Sequence, residues 1–179
     1  LERFKNHIKE LFSKNDREGF YSWSGLRYFL YEYELYLQDN ANMKVSWEDF
    51  NKRKKEDTIE HIYPQSPNDI YWKNLFGHLK PSEKRQYLNS LGNLLLLNRS
   101  KNSKLQNYDF DKKKCLLNKD GKEIGYYNGS YSEIEVSKHK EWTPDEIKKR
   151  GLLMLQFMEE RWKFSFDNWN ISKEDILFP

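Results

Sequence analysis

The four consecutive leucines Leu94–Leu97 are as long as any apolar run in the chain. A helix that crosses a bilayer needs ~20 apolar residues in a row, so this sequence reads as having no membrane span. Its core must come from short segments and large side chains. Leu, Ile, Val and Phe supply 43 of 179 residues, about 24% and above the ~20% below which disorder is the default. The 29 Phe, Trp and Tyr residues can fill a core despite the thin aliphatic content, since each buries a large area. The length suits one domain with a small extra module.

One cysteine, Cys115, excludes an intrachain disulfide and a Cys-pair zinc site. That usage is compatible with a reducing compartment. No charged-then-apolar leader is visible, so the expectation is a cytoplasmic protein without a secretory signal. The chain opens on Leu1 rather than Met, which reads as a fragment of a longer protein. Net charge is +3, but it is unevenly spread. Lys73 to Lys114 holds ten Lys/Arg against three acids, net +7, and leaves the remainder at −4. Such an island suits a polyanion partner or a solvated lysine-rich surface.

Phe4, Ile8, Leu11 and Phe12 fall at helical spacing, as do Leu26, Phe29, Leu30, Tyr33 and Leu37 after an interruption over Gly19–Gly25. Asp39–Met43 reads as a loop. Ser46 can cap a short helix beginning at Trp47. Asn51–Asp57 reads as a charged connector and module boundary. Thr58–Tyr63 reads as a strand ended by Pro64, which lacks a donor. Ser66–Asp69 is turn-like, and Pro81 opens a short helix to about Ser90. Leu91–Leu97 reads as a second strand. A polar, basic helix follows from Ser100 to about Leu117. Asn118–Ser132, with three glycines, reads as a loop or hairpin. Pro144 to about Phe164 is the best-defined helix, with Thr143 and Glu146 forming a capping box and Ile147, Leu155, Met158 and Trp162 on one face.

Of the four histidines, His7 and His139 sit among charges and read as surface residues, and His78 lies in a loop. His61 follows Glu60 and precedes Ile62-Tyr63-Pro64-Gln65. On a strand these two neighbours point to opposite faces, so they can serve one reaction centre only where the strand twists or ends. Asn93 and Asn102 follow. A strand, a return strand and a helix would bring His61, Glu60 and Asn102 to one small ββα unit: an imidazole base, a carboxylate and an amide oxygen for a hard cation, with lysines nearby for phosphate.

Three segments, Thr58-Ile59-Glu60-His61-Ile62-Tyr63-Pro64-Gln65, Leu91-Gly92-Asn93-Leu94 and Asn98-Arg99-Ser100-Lys101-Asn102-Ser103-Lys104, resemble the His-Asn-Asn form of the HNH (ββα-metal) nuclease motif. The closer resemblance is to the C-terminal nuclease domain of GmrSD-type, modification-dependent restriction enzymes. It extends to Tyr28–Glu34 upstream and to Trp142, Ile147, Arg150 and Trp162 downstream, over about residues 20–165.

The resemblance implies roles by position: His61 as general base, Glu60 and Asn102 as metal ligands, Asn93 as the residue that holds the loop and orients the histidine. It implies Mg²⁺ or Mn²⁺ as cofactor, DNA as substrate, a phage-restriction role and an N-terminal NTPase or sensor partner absent from this chain. Lys101, Lys104 and Arg99 are added here as phosphate contacts. Tyr63 is added as a ring for a base or sugar, with core packing the plainer reading. Arg150 suits a phosphate or a salt bridge, and Cys115 a buried apolar site.

An imidazole near pKa 6.5 can accept a proton at neutral pH, one Mg²⁺ can neutralise a leaving oxygen, and Mg²⁺ needs few protein ligands. Asparagine in the last position favours an oxygen-loving metal over zinc. The expected fold is α+β and mainly helical, a small ββα-metal core among helices. The expected organisation is a helical module over 1–56 and a nuclease domain over 57–179, the two packed as one unit. A non-catalytic nucleic-acid-binding or partner-docking module with a vestigial motif is the alternative.

Overall fold

The computed structural model describes residues 1–14, 18–38 and 46–179; the loop read at Asp39–Met43 lies outside them. Helices α1 (Glu2–Ser13), α2 (Leu26–Leu37) and α3 (Trp47–Glu56) lead into strand β1 (Asp57–His61). Two short helices, α4 (Ile70–Phe76) and α5 (Pro81–Asn89), precede β2 (Leu94–Asn98). Then come α6 (Arg99–Leu105), α7 (Phe110–Lys114), a small hairpin of β3 (Leu116–Leu117) and β4 (Glu123–Ile124), and helices α8 (Tyr131–Ser137), α9 (Pro144–Trp162) and α10 (Lys173–Leu177). The fold is α+β and mainly helical. Among the described residues no helix is long and apolar enough to cross a membrane.

The leucine run explains the architecture. β2 pairs antiparallel with β1, Glu60 opposite Leu95 and His61 opposite Leu94. Side chains alternate across a strand, and here each face meets its own core. Leu94 joins Ile8, Leu11, Phe20, Phe29, Met154 and Leu155. Leu95 and Leu97 join Trp72, Phe76, Leu105, Phe110 and Trp142 on the other side. A strand buried on both faces reads as continuous leucine rather than as an alternating pattern. The first core draws on residues from both ends of the sequence, so α1 and α2 pack on the same apolar centre as α9 and α10.

Buried charge on α2 is satisfied by distant partners. The Glu34 carboxylate accepts from the Tyr131 and Ser132 amides at 2.8 and 2.9 Å, and so caps α8 at its N-terminus. Glu32 accepts from Arg161 Nε at 2.7 Å and from the Tyr28 hydroxyl at 2.6 Å.

Several expectations need correction. Asn51–Asp57 is no connector: α3 runs to Glu56 and passes directly into β1. Ser46 does cap α3, accepting from the Asp49 amide. Residues 91–93 form a 3-10 turn, and the strand begins only at Leu94. The helix expected over 100–117 breaks at Gln106, which stands at φ 41° and separates α6 from α7. Thr143 accepts from the Glu146 amide, but the Glu146 carboxylate pairs with His139 and Lys149. Cys115 is exposed. Trp162 is 40% exposed, unlike the other residues predicted on its face.

Gly92 sits where α9 crosses the turn before β2. A Cβ there would lie 2.0 Å from the Ile147 carbonyl oxygen and 2.7 Å from the Gly151 nitrogen. Both are backbone atoms of α9, which cannot step aside as a side chain can. Gly92→Ala is therefore expected to cost about 3 kcal/mol, the upper end of ordinary overpacking. The shift of the urea midpoint measures it; an unchanged midpoint would show that the crossing is loose.

Candidate active site

β1 ends at His61, and the chain turns away through Pro64. At that end a cleft of about 130 Å³ is lined by Tyr21, Ile59, Glu60, His61, Pro64, Gln65, Asn102, Gln106 and Asn107. Three of the four residues singled out for catalysis and metal binding thus share one cavity, although 42 positions separate Glu60 from Asn102. A larger concavity of about 960 Å³, lined by residues such as Leu153, Gln156 and Lys173, gathers no comparable set of buried polar groups.

The strand sends the two neighbours to opposite sides. The His61 ring lies toward the first core, 4.6 Å from the Tyr21 ring centroid. Its Nε2 is 3.3 Å from Asn89 Oδ1. An amide oxygen only accepts, so this contact puts the proton on Nε2 and leaves Nδ1 as the basic nitrogen. Burial pushes the His61 pKa down to about 4; the Asn89 bond opposes this and the Lys113 charge adds to it. The ring is neutral at neutral pH.

Because His61 charges less readily folded than unfolded, its contribution to stability is fully present above about pH 6.5. That contribution falls away as pH drops toward 4. The loss should reach about 3 kcal/mol. Urea midpoints from pH 7 to 4, compared with those of His61→Gln, isolate it; parallel curves for the two proteins would contradict the buried neutral ring.

Glu60 lies on the other side, toward the second core. Its Oε1 accepts from Lys113 Nζ at 2.6 Å and from the Tyr126 hydroxyl at 2.9 Å. Lys113 is fully buried and also donates to the His61 carbonyl at 2.9 Å. Burial lowers its pKa against the pull of Glu60, and burial, with the same carboxylate adding to it, pushes the Tyr126 hydroxyl well above its usual range. Asn102, in α6, donates from Nδ2 to Thr58 Oγ1 at 2.9 Å. Thr58 is two positions before Glu60 and so on the same face.

Asn93 is fully buried, and its side chain makes no hydrogen bond to the histidine. Its Oδ1 accepts from the Tyr63 amide at 2.8 Å and from Trp142 Nε1 at 3.1 Å. Its Nδ2 donates to the Tyr63 and Leu88 carbonyls, both at 2.9 Å. It therefore holds the turn after β1, while the contact to His61 comes from Asn89. Arg150 is likewise a brace: buried, it donates to the Gly92 and Leu94 carbonyls at 2.9 Å and to Glu135 at 3.1 Å.

The residues expected to meet nucleic acid divide. Arg99 and Lys104 are exposed on α6. Lys101 turns to Glu133 at 2.6 Å and the Gly125 carbonyl at 3.0 Å. Tyr63 is buried, stacked on Phe76 with centroids 3.8 Å apart, so its ring has no open face for a base. Asn89, Lys113, Tyr126 and Tyr21 were not singled out by sequence. Lys113 sits inside a run of three lysines, and nothing local distinguishes the one that turns inward.

These features define a mainly helical α+β domain with a polar cleft at the end of an antiparallel strand pair. Residues 5–157 match the family model of GmrSD restriction endonucleases, C-terminal domain, and the chain belongs to that family. No curated protein and no solved structure matches the chain.

Proposed function

We propose that this chain is a metal-dependent DNA endonuclease domain that hydrolyses phosphodiester bonds at the β1 cleft by an HNH mechanism. In a cell it would act as the effector of a phage-restriction system, beside an NTPase or sensor partner. What carries the reading is that His61, buried with its Nε2 on Asn89, lines the same cleft as Glu60 and Asn102.

The donor set suits a magnesium-like ion. Among the described residues, no hydrogen bond is made by Glu60 Oε2 or by Asn102 Oδ1. Two hard oxygen donors with water and substrate phosphate are what Mg²⁺ accepts. Glu60 and Asn102 would hold it. When bound, the ion supplies Lewis-acid stabilisation of charge on the leaving oxygen.

His61 Nδ1 takes the proton of the attacking water, and Nε2–H stays on Asn89, which keeps the ring in that tautomer. Tyr21 covers the ring and limits solvent on that side. Asn93 keeps the turn after β1 in place from the core. Arg99 and Lys104 contact the DNA backbone, and this contact weakens with salt because each neutralised phosphate releases counterions. Lys101 stays with Glu133 and Tyr63 in the core, so neither takes part.

Supercoiled plasmid provides the test. The protein should convert it to open circles or linear DNA with Mg²⁺ or Mn²⁺, and excess EDTA should stop the reaction. Plasmid left intact in both metals at low salt, while the protein still binds DNA, would favour the non-catalytic binding module.

A further inference from the structure

We infer that the divalent ion is bound by the protein–DNA complex and not by the free protein, because Lys113 already neutralises the one carboxylate offered to it. The inference rests on the proposed metal reading.

The cleft offers a single carboxylate, and it is already paired: Lys113 Nζ lies 2.6 Å from Glu60 Oε1, while Gln65, Asn102, Gln106 and Asn107 bring only amides. Among the described residues no three His, Cys, Asp or Glu side chains gather to hold a metal. Affinity for a hard cation follows the charge count and rigidity of its ligands. A site whose one carboxylate is already paired with a buried lysine therefore holds one weakly.

Lys113 is also a permanent feature. Its side chain is fully buried, its ammonium lies 2.6 Å from Glu60 Oε1, and a second bond ties it to the His61 carbonyl at 2.9 Å. The Tyr126 hydroxyl occupies the same Oε1. Glu60 is thus held with only its second oxygen to offer, and an ion on that oxygen meets a buried ammonium that salt screens little. The missing negative charge must come from the phosphates of the substrate. Ion and DNA then load together, and the free protein carries no armed metal centre.

Electron paramagnetic resonance of free Mn²⁺ measures this directly. In the His61→Ala background, where cleavage is slowed by at least about a hundredfold, the protein is titrated with and without duplex, and the duplex alone is subtracted. The expected Mn²⁺ affinity is at least tenfold higher with DNA. Adding Lys113→Met, with folding checked by circular dichroism, should raise the DNA-free affinity at least tenfold.

Equal affinity with and without DNA would overturn the inference, and this comparison needs no Lys113 variant. So would a folded Lys113→Met protein whose DNA-free affinity is unchanged or lower. Glu60→Gln in the same background tests the underlying reading separately. If it leaves Mn²⁺ binding by the complex intact, the metal lies elsewhere and the proposed function is what fails.

Discussion

His61→Ala should lower plasmid cleavage by about 10²–10⁴-fold, the usual contribution of a positioned general base, and leave DNA binding nearly unchanged. The expectation follows from geometry. Nε2 is engaged with Asn89, so the proton-accepting nitrogen is Nδ1, and no other imidazole lines the cleft. The phosphate contacts proposed above lie instead on the exposed Arg99 and Lys104 of α6, which the substitution leaves in place. Asn89→Ala should reproduce part of the loss, because the ring keeps its position against Tyr21 but loses the partner that fixes its tautomer. Single-turnover rates on a labelled duplex, with anisotropy to measure binding, separate the two effects. Cleavage that survives His61→Ala at the wild-type rate would remove this residue as the base.

Asn93→Ala should be strongly destabilising although the side chain is polar. Four hydrogen bonds converge on that amide, and its site is fully buried. Alanine leaves the Tyr63 amide, the Trp142 indole N–H and two carbonyls without partners where water does not replace them. Each such group costs about 1–3 kcal/mol, and relaxation recovers part of the sum. A loss of about 4 kcal/mol is expected. For a chain of this size that lowers the melting temperature by about 10 °C. A drop of under about 3 °C in a calorimetric scan would mean that water or a backbone shift satisfies the site. The same variant separates roles: because the Asn93 side chain makes no hydrogen bond to His61, protein that remains folded at low temperature should keep most of its cleavage rate.

The shared cleft of Glu60, His61 and Asn102 was legible because these residues lie at or just beyond the ends of two paired strands. The leucine run fixed β2, Pro64 fixed the end of β1, and antiparallel pairing then set His61 against Leu94 and Glu60 against Leu95. Asn102 followed as a residue early in the next helix. What sequence could not show are the groups whose roles depend on long-range packing. Asn89 lies at the end of α5 and reaches His61 across 28 positions. Lys113 is one of three successive lysines, and only the tertiary fold distinguishes it: Lys112 and Lys114 pair with Asp109 and Asp111 near the surface, while Lys113 turns inward to Glu60.

Short elements were missed for a related reason. α4 covers seven residues and α8 another seven, too few turns for a period to emerge. α8 is further stabilised by Glu34 from a helix almost a hundred positions away. The break at Gln106 was illegible because a non-glycine residue adopts φ 41° there. Only the surrounding packing offsets the cost of that conformation.

In the proposed reaction, His61 and a metal held by Glu60 and Asn102 act on one phosphodiester. The decisive experiment is anomalous diffraction at the manganese edge, from crystals of His61→Ala with duplex DNA and Mn²⁺. A manganese peak within coordination distance of Glu60 Oε2 and Asn102 Oδ1, with a phosphate oxygen also bound to it, is the predicted result. A peak away from both side chains, or DNA bound with no metal at the end of β1, would contradict it.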